Sequence, residues 1–370
     1  MKKYLSGIMA LALAAAATSC SDDPKEPTGP EPDQQGEPMA IAGYSGMYIL
    51  NEGAFGQNQA RIDKLDFSTG AYYEDLYVKS NPDVVMALGD VGNDLQLNDG
   101  RLYAVVNGSH KVEVMQASTL KRIGQVDVSS PRAIAFDGSL AYVSSWVDGG
   151  NDNGSVVIFN TQSLKTVGCI SVGQEPEGVA VANGKLYVGC SGGMHATYSD
   201  ELWVIDLATL AVERKITVAP NIHRVVADTD GSLWVSARGN YVDVGSGLYH
   251  VVGNTVTSMN VPCAGFALGQ DKIYYYASEW SNVTMSSQVT YGTIDRATLT
   301  PGASFITDGT QSSIENPYGV FTAGGTVFVA DAKNYTSSGA MYVYDADGKR
   351  QQTFTTGVCP ASVVFLPKNR

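Results

Sequence analysis

Cysteine is scarce in this chain of 370 residues, which has five in total. Apart from Cys20 these are Cys169, Cys190, Cys263 and Cys359, and no two of them form a C-x-x-C pair. Zinc knuckles and disulfide-stapled scaffolds need closely spaced cysteines. The sequence therefore predicts neither, and we expect the four later cysteines to be buried thiols.

Basic residues are also few. The chain has 24 Lys and Arg against 37 Asp and Glu, which gives a formal net charge of −13. Loss of Lys2 and Lys3 with a leader peptide would take this to −15 (−13 − 2). Nucleic-acid binding depends on cationic side chains that neutralise phosphates. We therefore expect no nucleic-acid partner.

The N-terminal apolar run is too short to span a membrane. It covers Leu5 to Ala17, whereas a membrane-spanning helix needs roughly 20 residues. Two lysines precede the run, and two small residues and Cys20 follow it, which is the order of a cleaved export signal. A cysteine at this point resembles the lipobox of bacterial lipoproteins, although Ala17 stands where that pattern usually has Leu. We predict a signal peptide at residues 1–19 and lipidation of Cys20.

A polar segment follows the predicted lipidation site. Residues 21–38 read SDDPKEPTGPEPDQQGEP and include no aliphatic side chain. Such a composition buries too little apolar surface to fold, so we predict a flexible tether over residues 20–42. The acidic cluster directly after Cys20 resembles the surface-export signal of Bacteroides-type lipoproteins. This resemblance implies an outer-membrane lipoprotein exposed on the cell surface.

Internal repetition dominates the sequence from residue 43 onward. The segment PRAIAFDGSLAYVSSW, which begins at Pro131, returns as PEGVAVANGKLYVGCS from Pro176 and as PYGVFTAGGTVFVAD from Pro317. The copies recur at intervals close to the roughly 40–50 residues of a propeller blade. Alternating β-branched and aromatic residues between turn clusters favour four antiparallel strands per copy. No segment shows a sustained helical period.

The two ends of the repeat region complete each other. The C-terminal segment CPASVVFLPK, from Cys359 to Lys368, is a first strand with no second strand after it. The N-terminal segments GMYILNEG and RIDKLDFSTGAYYEDLYV supply a second, third and fourth strand but no first. Joined, they make a seventh blade, so that only short, protected sheet edges remain. We predict an all-β fold, a seven-bladed β-propeller over residues 43–370 that the C-terminal strand closes.

Two resemblances follow from these repeats. The unit PEGVAVANGKLYV with its later VIDLATL strand resembles the YVTN or YncE-type propeller repeat. The stretches NEGAFGQNQARIDKLDFSTG, NPDVVMALGDVGNDLQ and LYAVVNGSHKVEVM, in this order, look like the cobalamin-capture lipoproteins of Bacteroides vitamin B12 uptake loci. This second resemblance implies non-enzymatic capture of cobalamin or a related corrinoid. It also implies delivery to a TonB-dependent outer-membrane transporter of the B12 type, with the corrinoid as transported ligand and no cofactor.

One face of the predicted propeller carries the candidate ligand-binding residues. The loops that enter the first strands and the loops between second and third strands share this face. Aromatic, amide and charged side chains in these loops suit a large, flat, partly polar ligand. The candidates are Asn51, Glu52, Phe55, Asn107, His110, Arg132, Trp146, Asp148, Glu177, His195, His223, Arg224, Arg238, Tyr241, Trp280, Tyr318 and Tyr335.

A corrinoid offers a macrocycle with an amide fringe and a nucleotide loop that bears a phosphate. We expect the macrocycle to stack on Trp146, Trp280, Tyr241 or Phe55. Asn and Arg side chains of the same loops would hydrogen-bond the amides and the phosphate. We assign no catalytic residue.

Two other function classes stay open. A lactonase-like, metal-dependent hydrolase would need acids in the channel, but the first strands AIAF, GVAV, GFAL and GVFT place mostly small or apolar residues there, with Glu177 and Asp94 as exceptions. The candidate histidines lie on blades that are not all neighbours, and we predict no metal site. An adhesin for protein or glycan would need a flat apolar patch in place of a central depression.

Overall fold

A computed structural model of the chain describes residues 30–84, 87–146, 153–281 and 285–368, with only the backbone of residues 280 and 281. Residues from Pro32 onward belong to one compact unit. The unit begins earlier than residue 43, where the sequence prediction placed its boundary. The reason is that residues 33–41 hydrogen-bond to the first blade and bury Ile41 in its core.

The described strands form seven separate antiparallel sheets, each of which is a blade. Blade 1 contains β1 (Gln34–Gln35), β2 (Tyr44–Asn51), β3 (Arg61–Asp66) and β4 (Ala71–Tyr73), followed by the short helix α1 (Leu76–Ser80). Blade 2 contains β5 (Gly92–Asn98), β6 (Arg101–Val106), β7 (Lys111–Gln116) and β8 (Arg122–Asp127). Blade 3 contains β9 (Pro131–Asp137), β10 (Leu140–Ser145), β11 (Ser155–Asn160) and β12 (Thr166–Ser171).

The remaining blades repeat this arrangement. Blade 4 contains β13 (Pro176–Ala182), β14 (Lys185–Cys190), β15 (Glu201–Asp206) and β16 (Val212–Thr217). Blade 5 contains β17 (Ile222–Ala227), β18 (Leu233–Ala237), β19 (Gly247–Val252) and β20 (Thr255–Ser258). Blade 6 contains β21 (Gly265–Leu268), β22 (Lys272–Ser281), β23 (Ser286–Asp295) and β24 (Thr300–Gly302). After a 3-10 turn (Thr310–Ser313), blade 7 contains β25 (Pro317–Ala323), β26 (Thr326–Asp331), β27 (Ala340–Tyr344) and β28 (Arg350–Thr355).

The last strand, β29 (Pro360–Pro367), joins blade 1. The strand order of that sheet is β1-β4-β3-β2-β29, and Tyr48 on β2 pairs with Val364 on β29. The seven-bladed all-β propeller and its closure by the C-terminal strand are therefore confirmed. Blade 1 differs from the predicted four strands in one respect, because β1 adds a fifth at its outer edge.

The hydrophobic core is divided among the blades. Seven buried clusters occur in the described part of the chain, and each one combines side chains from two neighbouring blades. One cluster, for example, packs Tyr103 of blade 2 against Phe136 of blade 3, with ring centroids 4.8 Å apart. Another packs Phe67 of blade 1 against Phe328 of blade 7 at 5.8 Å. Apolar burial between sheets therefore holds the ring together.

The turns between third and fourth strands share a hydrogen-bond pattern in blades 4 and 6. In blade 4 the carboxylate of Asp206 accepts hydrogen bonds from the backbone amides of Ala208 and Thr209, each at 3.0 Å. Leu210 then adopts a positive φ of 57° before the fourth strand. Side-chain acceptors of this kind hold the chain in a turn. The turn in blade 6 repeats the arrangement with Asp295 as the acceptor.

Candidate functional site

A central cavity of about 680 Å³ lies where the first strands converge. Every blade contributes to its wall, from Glu52 of blade 1 to Tyr318 of blade 7. The wall comprises Glu52, Asn93, Asp94, Gln96, Arg132, Ala133, Ile134, Ala135, Phe136, Glu177, Gly178, Val179, Ala180, Val181, His223, Arg224, Val225, Val226, Ala227, Arg238, Ala264, Gly265, Tyr276, Tyr318, Ala361 and Ser362. Charged side chains from several blades therefore line the cavity together with small and aliphatic residues.

Irregular pairing between first and second strands places several residues on the cavity wall. In six blades the first strand carries an extra residue near its start, where its register against the second strand shifts. β-Bulges of this kind re-aim a side chain and are common beside binding sites. The residues at the shifts include Asn93, Arg132, Glu177, His223, Tyr318 and Ala361, all of which line the cavity.

An ion pair between two first strands crosses the cavity wall. Arg132 donates from Nε to Oε2 of Glu177 at 3.0 Å and from Nη2 to Oε1 at 3.3 Å. The same guanidinium lies over the ring of Trp146, 4.6 Å from the ring centroid, and donates to Asn93 at 3.3 Å. Cation–π contact and bidentate pairing fix both side chains. Three predicted residues, Arg132, Trp146 and Glu177, are thereby brought together.

A second contact joins blades 1 and 7. The hydroxyl of Tyr318 donates a hydrogen bond to the Glu52 carboxylate. Burial raises the pKa of Glu52 above its ordinary value, against the opposing effect of this hydrogen bond. Tyr335 lies edge-on to Tyr318, with ring centroids 6.0 Å apart, and is about half exposed. These three predicted residues therefore form one group at the blade 1–blade 7 side of the site.

Asp94 is a wall residue that the candidate set omitted. Its carboxylate accepts hydrogen bonds from the backbone amides of Leu95 at 2.9 Å and Ile134 at 3.1 Å, and from Nε2 of Gln96 at 3.0 Å. Burial raises the pKa of Asp94 against these interactions. Asn93, Gln96, Tyr276 and Ser362 were missed as well. For Asn93, Asp94 and Gln96 the signal in the sequence was the polar run GNDLQ, where other first strands are mostly apolar; this run gives no signal for Tyr276 or Ser362.

Blade 5 supplies the cationic part of the wall. His223 and Arg224 lie near the start of β17, and Arg238 directly follows β18. Burial, together with the charges of Arg238 and Arg224, holds the pKa of His223 well below its usual value. His223 is consequently neutral at physiological pH. All three were predicted site residues, and the structure brings them into one cavity.

Other predicted residues lie outside the cavity wall. Asn51 is fully buried, and its Nδ2 donates to Asp63 at 2.8 Å. Asn107 donates to the carbonyl of Pro131 at 3.1 Å, and His110 accepts at Nδ1 from the Ser130 amide at 3.0 Å. The first contact joins β2 to β3, and the other two hold the chain beside the starts of first strands.

Three further candidates lie on loops around the cavity. His195 approaches Glu175 at 3.7 Å. Phe55 is 85% exposed, and Tyr241 is 71% exposed with its ring edge toward Tyr198. Asp148 and the side chain of Trp280 lie outside the described residues.

Within the described ranges, no group of three or more His, Cys, Asp or Glu side chains is placed to hold a metal ion. The four later cysteines are free thiols, three of them buried and Cys169 exposed. Among the same residues, no helix has the length and apolar character needed to cross a membrane.

Fold and cavity together define the class: a seven-bladed β-propeller whose converging first strands enclose a polar, ligand-sized site. Within that class the chain belongs to the family described as "Domain of unknown function (DUF5074)", whose model matches residues 45–361. No curated protein sequence matches the chain.

Solved structures with the same fold are distant in sequence. A quinoprotein alcohol dehydrogenase-like protein from Bacteroides thetaiotaomicron is 15% identical, with a TM-score of 0.60 over 87% of this chain and 78% of that one. Hydrazine synthase from Kuenenia stuttgartiensis is 18% identical, with a TM-score of 0.58 over 73% of this chain and 88% of that one. Apo AztD from Citrobacter koseri is 12% identical, with a TM-score of 0.50 over 88% and 98%. At these identities the likeness concerns the fold.

Proposed function

We propose that this protein captures cobalamin or a related corrinoid at the cell surface and passes it to a TonB-dependent outer-membrane transporter of the B12 type. The observation that carries the proposal is the central cavity of about 680 Å³, with amide, guanidinium and aromatic groups around it. Small-molecule sites typically enclose 300–1,000 Å³. A corrinoid would fill the cavity with part of its structure and spread its macrocycle over the loops above.

The loops above the cavity offer apolar surface for such a macrocycle. Phe55, Tyr241 and Tyr335 are exposed on loops between second and third strands. Trp146 stands on the equivalent loop of blade 3, ordered by its contact with Arg132. Aromatic anchors of this kind carry much of the affinity in binding sites.

The cavity acids favour binding over catalysis. The carboxylates of Glu177, Asp94 and Glu52 are each engaged by a partner in the wall: a guanidinium, backbone amides and a tyrosine hydroxyl respectively. The Ser362 hydroxyl donates to Asp94, and no histidine of the described wall activates it. The carboxylate beside Ser362 already accepts from two backbone amides, and the described wall supplies Ser362 with no histidine of the kind that normally activates a serine nucleophile. We therefore propose a protein without enzymatic activity.

Surface anchoring and the transporter partner belong to the same proposal. Cys20 would carry the lipid and residues 21–31 would form the tether. Met194, Val242 and Met285 are exposed on the same loop face as the cavity. Exposed apolar side chains on one face suit a protein partner, and docking at this face would bring the captured ligand directly to the transporter.

Titration of the purified protein with cyanocobalamin, followed by calorimetry and visible absorbance, tests the proposal. We expect tight one-to-one binding, and replacement of Trp146 by alanine to weaken it about tenfold or more. The matched control is Trp203→Ala, because Trp203 lies on the third strand of blade 4 beside Lys215 and away from the cavity. Absence of cyanocobalamin binding by the wild-type protein at micromolar concentration would overturn the corrinoid proposal.

A further inference from the structure

Two arginines on blade 5, Arg224 and Arg238, have no hydrogen-bond acceptor for their guanidinium groups among the described residues, although Arg224 lies over the ring of Phe266, 5.8 Å from its centroid. Among the described arginines, all except Arg224 and Arg238 donate a side-chain hydrogen bond to the protein. Within the same residues neither guanidinium has a carboxylate at ion-pair distance. A guanidinium has five N–H donors in a fixed fork that matches planar or tetrahedral oxyanions. Two of them without protein acceptors in a cavity are available to a ligand.

The surroundings of these arginines supply further donors. Burial keeps His223, which precedes Arg224 on β17, neutral, so that it can donate from one ring nitrogen and accept at the other. Tyr276 on β22 lies across the strand pair from Gly265 and lines the same cavity. A Cβ at position 265 would lie 2.6 Å from the Tyr276 ring. Glycine at this position therefore lets the Tyr276 ring lie over the first strand of blade 6.

The acids of the cavity limit the charge that the site accepts. Glu177 is neutralised by Arg132, whereas Glu52 and Asp94 have only neutral hydrogen-bond donors among the described residues. Their charges act on Arg238 and Arg224 over a longer range. These carboxylates offset part of the attraction between the guanidinium groups and any anion. Because the cost of removing an ion from water rises steeply with its charge, the site favours a monoanion over a dianion.

We propose that Arg224 and Arg238, with His223 and Tyr276, form a subsite for a monoanionic phosphodiester group. The assignment of this group to the nucleotide loop of a corrinoid rests on the proposed function. The subsite itself rests on two guanidinium groups in the cavity whose N–H donors have no acceptor among the described residues. Charge-assisted, bidentate hydrogen bonds would give it both affinity and orientation.

The test compares cyanocobalamin with cobinamide, which lacks the nucleotide loop and its phosphodiester, by calorimetric titration of the full protein. We expect Arg224→Gln with Arg238→Gln to weaken cyanocobalamin binding about tenfold or more and to weaken cobinamide binding far less. The control is Arg214→Gln. Arg214 lies on the outer strand of blade 4 and donates a hydrogen bond to Asn254 between β19 and β20 of blade 5. Equal losses for both ligands in the double variant, or no loss for either, would overturn the phosphodiester assignment.

A second measurement separates this subsite from the corrinoid proposal. Diethyl phosphate, a monoanionic diester, would be titrated into wild-type and double-variant protein while the His223 imidazole is followed by NMR. A saturable shift in the wild type that is absent from the double variant supports the subsite even if cyanocobalamin does not bind. Identical responses in the two proteins contradict it. Inorganic phosphate binding in place of the diester would assign the site to a free anion and overturn the diester assignment.

Discussion

At the scale of single residues, the pair of Arg132 and Glu177 connects two neighbouring blades at the cavity. Glu177 is 5% exposed, and both of its oxygens accept from Arg132. Removing one member of such a pair leaves the other without its counter-charge, which costs more than the pair itself contributes. The pair therefore stabilises the wall and fixes the guanidinium that Trp146 stacks against.

This arrangement predicts the effect of Glu177→Gln on stability. We expect the free energy of unfolding to fall by about 2 kcal/mol, because Arg132 loses a charged acceptor in a partly buried site. The measurement is urea unfolding at neutral pH. The control is Glu201→Gln, since Glu201 pairs with Lys215 where both side chains are more than a third exposed, and exposed pairs contribute below about 1 kcal/mol. A loss in Glu177→Gln no larger than that of the control would contradict the prediction.

At the scale of elements, the added strand β1 connects blade 1 to blade 7. Gln34 donates to the carbonyl of Thr355 at 2.8 Å and accepts from its amide at 2.9 Å. Gln352 in turn donates to the carbonyl of Glu37 at 2.9 Å and accepts from its amide at 2.7 Å. Each glutamine side-chain amide thus pairs with a backbone amide and carbonyl as a neighbouring strand would, and the two amides connect the outer edges of two sheets. The segment before β2 is therefore part of the folded body.

Replacing both glutamines with alanine should lower stability without changing the cavity. We expect Gln34→Ala with Gln352→Ala to reduce the free energy of unfolding by about 1 to 2 kcal/mol, because five partly solvated hydrogen bonds are lost, including one from Gln34 to Glu74. Thermal unfolding with and without cyanocobalamin would measure this loss of stability. Gln351→Ala is the control, since the side chain of Gln351 bonds locally to Asp345. An unchanged unfolding temperature in the double variant would show that β1 does not hold the two blades together.

At the scale of the whole molecule, closure of the ring depends on one strand from each end of the chain. β29 is the innermost strand of blade 1, and its residues Ala361 and Ser362 also line the cavity. Val364 packs in the core between blades 1 and 2. Loss of this strand would expose two interblade cores and open one wall of the site.

A chain that ends at Cys359 is therefore expected to lose cooperative unfolding and corrinoid binding together. Circular dichroism on heating would detect the first loss, and calorimetry the second. A synthetic peptide of residues 359–368, added in trans, should restore both by pairing with β2 as β29 does. A matched peptide with Val364 replaced by aspartate should fail, because a charge would enter the core. Wild-type unfolding by the truncated chain would refute closure as the source of stability.

Much of the fold was encoded locally and could be predicted from the sequence. The repeated PEGVAV and KLYVGC patterns alternate side chains between the two faces of a strand, and this period is independent of the rest of the molecule. The incomplete repeats at residues 44–73 and 359–368 likewise implied closure. Cavity residues at the starts of first strands, such as Arg132, Glu177 and Arg224, followed from the same repeat register.

The tertiary structure alone decided which of these side chains meet. Register shifts in the first strands aim Arg132, Glu177 and His223 at the cavity, and an extra residue in a strand has no distinct sequence signature when the flanking pattern is apolar. Asn51 carries the same polarity as the wall residues yet bonds Asp63 in the core. Arg132 pairs with Glu177, whereas Arg224 and Arg238 have no acceptor among the described residues. This difference depends on distances between blades whose residues lie about 45 or more positions apart in the chain. The sequence by itself determined the strands, their repetition and the closure of the ring, because these depend on local periodicity. The charge pattern of the site was decided only when seven strands from separate repeats converged.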